Sequence, residues 1–78
     1  MRDKPIREAR LLDNYILEVV SETNSVVRLN MKQFLHTTRF SPLRNLDVWQ
    51  SGTTDGVSVI WPGVTEMSYE ELTQRAFW

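Results

Sequence analysis

Tyr15-Ile16-Leu17-Glu18-Val19-Val20, the polar cluster Ser21-Glu22-Thr23-Asn24-Ser25, and Val26-Val27-Arg28-Leu29 form the stretch on which the fold turns. The two flanks are dense in β-branched and aromatic residues, which pack well on a pleated surface. The segment between them is turn chemistry, with Asn24 at its tip. If Leu17 and Val19 point to one face, Val27 and Leu29 oppose them, and Glu18 and Arg28 meet on the other face as a cross-strand charge pair. One face is then covered and the other wetter.

On the N-terminal side, Ile6 to Leu12 alternates irregularly and ends at the turn-prone pair Asp13-Asn14, so a first strand precedes the hairpin and a three-stranded meander results. On the C-terminal side the period changes at Asn30. Asn30-Met31-Lys32-Gln33 fits a capping box, with Leu29 and Phe34 as its staple, which predicts a short helix from Met31 to near His36. Ser41-Pro42 can open another helical turn over Pro42 to Asn45. Val48 to Ser51 and Val57 to Trp61 flank a Gly52-Thr53-Thr54-Asp55-Gly56 turn and read as strands four and five. Trp61-Pro62-Gly63 reads as the end of the sheet, followed by a loop. Ser68-Tyr69-Glu70-Glu71, stapled by Met67 and Leu72, predicts a terminal helix from Tyr69 to about Phe77.

The expected fold class is therefore α+β. It comprises a small, mostly antiparallel sheet, made of a three-stranded meander plus a second hairpin, with one short helix and a C-terminal helix. Seventy-eight residues suffice for one core, so a single domain over 1–78 is expected. Three Trp, three Phe and two Tyr within a 41% apolar composition supply that core. There is no cysteine, which excludes disulfides and thiolate metal sites. A formal charge of −1 lacks the strong field that accompanies non-specific nucleic-acid binding. The charged N-terminus has no apolar run, and no window approaches the ~20 apolar residues of a membrane span. No membrane association and a cytoplasmic location are the expectations.

Residues able to carry chemistry are sparse. His36 is the only imidazole, and a polar residue at a helix end explains it without a ligand. Thr37, Thr38 and Ser41 lie near it in sequence, but their spacing does not resemble a strained nucleophile turn. Glu70 and Glu71 occupy positions where first-turn acids favour a helix. The isolated glycines at 52, 56 and 63 cannot form a phosphate cradle. No cofactor, metal or catalytic residue is expected. Arg39 and Arg44, close in sequence to Phe40 and Trp49, are the candidates for phosphate contact or base stacking, with solvated arginines beside core aromatics as the plainer alternative. Trp49, Trp61, Phe77 and Trp78 are the candidate partner-binding aromatics, and core packing is the alternative for the first two. A free sheet edge offers docking by strand addition.

Three groups of residues resemble a known family: Leu11-Leu12-Asp13-Asn14-Tyr15-Ile16-Leu17, Leu29-Asn30-Met31, and Val59-Ile60-Trp61-Pro62-Gly63 followed by an acidic helix start. Together they are similar to the small bacterial proteins of the domain of unknown function 2442 family, in the same order from about Pro5 to Leu72. Many relatives carry Trp-Pro-Asn-Gly, whereas here Gly63 follows Pro62 directly. The resemblance implies a compact α+β domain with no established catalytic activity. It also implies genomic pairing with another small protein, in a proposed toxin and antitoxin arrangement.

Three function classes follow. The leading expectation is a non-enzymatic protein-interaction module, antitoxin-like, with a small protein partner. The second is a DNA-binding or autoregulatory component using Arg39 and Arg44. The third is an enzyme whose carboxylates, such as Asp47, Asp55 and Glu66, come together from separate segments.

Overall fold

The computed structural model describes residues 4–76. Two three-stranded antiparallel sheets, both meanders, build a small α+β fold. Sheet A contains β1 (Ile6–Leu11), β2 (Ile16–Ser21) and β3 (Val26–Asn30). Sheet B contains β4 (Thr53–Thr54), β5 (Ser58–Trp61) and β6 (Thr65–Ser68). Between the sheets the chain forms two 3-10 turns, Met31–Phe34 and Ser41–Arg44, and a short helix α1 (Leu46–Gln50). Helix α2 (Tyr69–Ala76) follows β6. Among the described residues, no helix is long and apolar enough to cross a membrane.

Sheet A has the register that its side-chain alternation predicts. Leu17 pairs with Leu29 and Val19 with Val27, while Glu18 faces Arg28. The Glu18 carboxylate accepts from Arg28 Nε at 2.8 Å and from Arg10 Nη1 at 3.2 Å. Glu18 is only 7% exposed, a burial that an acid tolerates because a cation flanks it on each side. The opposite face contributes Leu17, Val19 and Leu29 to the core.

Sheet B departs from the sequence reading in two places. Val48 to Ser51 is not a strand, because Leu46–Gln50 is helical. The Asn45 side chain accepts from the N–H groups of Asp47 and Val48, and Asp47 adds a favourable first-turn charge. That cap outweighs the β preference of Val48 and Trp49. The Asp55-Gly56 turn does join two strands, but its N-terminal strand is the brief β4. Nor does Trp61-Pro62-Gly63 end the sheet. Val64 N–H donates to the Trp61 carbonyl at 2.9 Å, and Gly63 has a φ of 75°. Pro at the second position and a left-handed Gly at the third make a type II turn, which returns the chain as β6.

The predicted helix starts are present with altered partners. Asn30 Oδ1 accepts from Lys32 N–H at 2.9 Å, but Gln33 donates to the Asn30 carbonyl and the element is a 3-10 turn. Ser41 lies inside the second 3-10 turn and does not cap it. Ser68 Oγ accepts from Glu71 N–H at 3.1 Å as a cap should. The Glu71 carboxylate does not reach back to Ser68; it bonds Arg39 instead. The staple residues Met67 and Leu72 are both fully buried.

Trp49 and Trp61 join the pieces at the core. Their rings stack at 5.9 Å, and Trp61 Nε1 donates to the Trp49 carbonyl at 3.0 Å. A Cβ on Gly52 would lie 2.8 Å from Trp61 Nε1, so only glycine lets the chain pass the indole there. The Ile6 N–H, bonded to the Gly56 carbonyl at 2.9 Å, ties sheet A to the β4–β5 turn.

Candidate functional site

In the β1–β2 turn, and nowhere else among the described residues, two consecutive non-glycine residues have positive φ. Ile16 N–H bonds the Asp13 carbonyl, and the two residues between them both have left-handed φ, 62° at Asn14 and 61° at Tyr15. Positive φ at both central positions is the primed geometry that suits the twist of a hairpin. Asn adopts it readily; Tyr does so at a cost of about 1–2 kcal/mol.

Tertiary contacts hold Tyr15 there. Its hydroxyl donates to the Arg44 carbonyl at 2.6 Å, and its ring lies 5.1 Å from that of Trp49. Trp49 Nε1 in turn donates to the Leu12 carbonyl at 3.1 Å. The turn is thus fastened to both the second 3-10 turn and α1.

Beside this fastening lies a half-open cleft of about 420 Å³. That volume falls within the range of small-ligand and side-chain pockets. Leu12, Leu46, Trp49 and Tyr15 provide its apolar surface, and Asp13, Asn14, Lys32 and Gln50 its polar groups. Leu46 is 61% exposed and Leu12 37%, so two large aliphatic side chains stand in solvent at one site. An apolar surface on a restrained backbone suits docking of a complementary side chain, with Lys32 and Asp13 orienting polar groups at the margin.

The candidate aromatics distribute differently from their sequence reading. Trp49 and Trp61 are buried at 1% and 0% exposure, so neither is displayed as a surface anchor. Both indole N–H groups find carbonyls inside the fold, which is what permits the burial. Trp49 forms part of the cleft, and Trp61 lies beneath it in the core. Phe77 and Trp78 lie outside the described residues.

Arg39 and Arg44, the candidates for phosphate contact, both bond to groups within the fold. Arg39 forms a bidentate pair with Glu71 at 2.6 and 2.9 Å, donates to the Glu66 carbonyl, and lies over the Phe40 ring. The hydrogen bond from Arg39 holds the Glu71 carboxyl below its ordinary range, while that same bond raises the Arg39 guanidinium. Arg44 Nε donates to the Leu35 carbonyl at 3.0 Å. Both guanidinium groups therefore have structural partners.

The three acids considered for an assembled carboxylate site occupy separate elements. Asp47 sits in the first turn of α1, and Glu66 faces Ile60 across β5–β6. Asp55 accepts N–H bonds from Val57 and Ser58, first of which lowers its carboxyl below the usual value. Among the described residues, no group of three or more His, Cys, Asp or Glu side chains could hold a metal ion. His36 is exposed in the turn after Phe34.

The cleft itself was the feature that sequence reading missed. Asp13-Asn14 is visible as a turn, but nothing in local sequence sets it against Leu46 and Trp49. The only available signal was the Asn45-Leu46-Asp47 helix start. No protein-family model, curated protein or solved structure matches the chain.

Proposed function

We propose that the protein is a non-enzymatic interaction module that docks a small partner protein on the Leu12–Leu46 cleft. The observation that carries this reading is the exposure of those two leucines beside a backbone locked by Tyr15 and Trp49. Association is favoured where the binding surface is already ordered and little conformational entropy remains to be lost. The resemblance to the domain of unknown function 2442 family supports an antitoxin-like pairing, with the partner encoded beside this chain.

The reading is tested by purifying the neighbouring gene product and titrating it with wild-type protein and with Leu46→Asp. A stoichiometric complex that weakens at least about tenfold in the variant, equivalent to ~1.4 kcal/mol, supports the proposal. Absence of a complex from the purified components, or equal affinity for the variant, refutes it. Circular dichroism checks that Leu46→Asp retains the wild-type fold.

A further inference from the structure

The two charges at the margin of the cleft restrict what it can hold. Asp13 and Lys32, opposite in sign, line it together with the exposed Leu12 and Leu46. Among the described residues both bond only through the backbone. The Asp13 carbonyl accepts from Ile16 N–H, Lys32 N–H donates to Asn30 Oδ1, and the Lys32 carbonyl accepts from Leu35 N–H. Arg39 and Glu71, by contrast, satisfy each other.

Both charges stand on restrained backbone. Asp13 opens the β1–β2 turn that Tyr15 and Trp49 fasten, and Lys32 lies in the 3-10 turn capped by Asn30. Their placement relative to the leucines is therefore set before a ligand arrives, which limits the entropy lost on binding.

The pattern selects a ligand by its charges. A singly charged molecule leaves either Asp13 or Lys32 without a counter-charge, and a polyanion repels Asp13. An interior residue of a polypeptide has neutral amides where both charges are needed. A free amino acid carries an ammonium and a carboxylate on one carbon, with its side chain beside them. The cleft volume of about 420 Å³ lies near the small end of the ~300–1,000 Å³ range of ligand pockets, which suits a molecule of that size.

We propose that the cleft binds a free apolar α-amino acid, its carboxylate on Lys32, its ammonium on Asp13 and its side chain against Leu12, Leu46 and Trp49. The amino acid and a docked partner protein share Leu46 and exclude one another. Each is measured without the other, so either reading can fail alone.

The probe is L-leucine, titrated into isotope-labelled wild-type protein and followed by amide chemical shifts. Saturable shifts at Leu12, Asp13, Lys32 and Leu46 are expected, with a Kd on the order of 1 mM or tighter. Exposed ion pairs contribute modestly, so leucinamide, without the carboxylate, and N-acetyl-leucine, without the ammonium, should each bind about threefold or more weakly. Glycine, without the side chain, should bind about tenfold or more weakly. Lys32→Met and Asp13→Asn should each weaken leucine binding as the matching analogue does, and their amide spectra check the fold. Absence of a saturable shift up to about 10 mM leucine overturns the proposal. So does binding of N-acetyl-leucinamide, which mimics a residue within a polypeptide, as tightly as leucine. The analogue series uses only wild-type protein, so it decides the question even where a variant does not fold.

Discussion

Sheet A and sheet B share one topology and are held together in different ways. The strands of sheet A have 6, 6 and 5 residues, and its main charge cluster lies within the sheet, with Glu18 between Arg10 and Arg28. The strands of sheet B have 2, 4 and 4 residues, and their stabilising groups come from elsewhere. The Trp49 carbonyl receives the Trp61 indole N–H, and Arg39 pins β6 to α2 through Glu66 and Glu71. Long strands with alternating faces carry enough pair interactions to define their own register. Short strands do not, and are placed by the core and by side chains from distant segments.

The strongest way to break this comparison is to remove the anchor of sheet B. Trp61→Ala should cost about 3–5 kcal/mol, a large share of the stability of a small domain. Urea denaturation monitored by circular dichroism measures that loss. Both sheets share one core, so the loss should appear as a single transition at lower denaturant. Separate transitions for the two halves would show that sheet A stands without its neighbour.

Arg39→Ala tests the external clamp more selectively and should cost about 1 kcal/mol, because the pair is partly solvated. Its pH dependence sharpens the test. Glu71 has a lowered carboxyl pKa in the folded state, chiefly through the Arg39 hydrogen bond. The resulting stability is fully present above the unfolded value of about 4.3 and is lost as pH falls through the lower folded value. Wild type should therefore lose more stability than Arg39→Ala across that acid window, as measured by thermal melts at a series of pH values.

On the sheet A side, Tyr15→Phe removes one hydrogen bond and keeps the ring against Trp49. The expected loss is about 0.5–1 kcal/mol in the same denaturation assay. Faster amide exchange at Ile16, whose N–H closes the strained turn, should accompany it. An unchanged exchange rate would mean that the Asn14–Tyr15 geometry is maintained without its Arg44 contact.

The contrast also explains which elements were legible in the sequence. The β2–β3 hairpin could be read down to the Glu18–Arg28 pair, because alternation, turn chemistry and charge all lie within 15 consecutive positions. The terminal helix start was equally plain, since Ser68 and Leu72 act over one helical turn. Leu46–Gln50 is not legible locally because Val48 and Trp49 favour strands in isolation, while the Asn45 cap and burial of Trp49 favour the helix. β6 is hidden from local reading because Pro62-Gly63 looks like a stop, although the same dipeptide specifies a type II turn.

By itself, the sequence determined the α+β class, the sheet A meander and its register, and the capped start of the last helix. Each depends on residues close enough along the chain to constrain one another directly. Only tertiary structure decided that Trp49 and Trp61 are core, that Arg39 holds β6 and α2, and that Leu12 and Leu46 share a cleft. Those outcomes depend on which distant surfaces are buried together, and burial is decided by the packing of the whole chain rather than by any one segment.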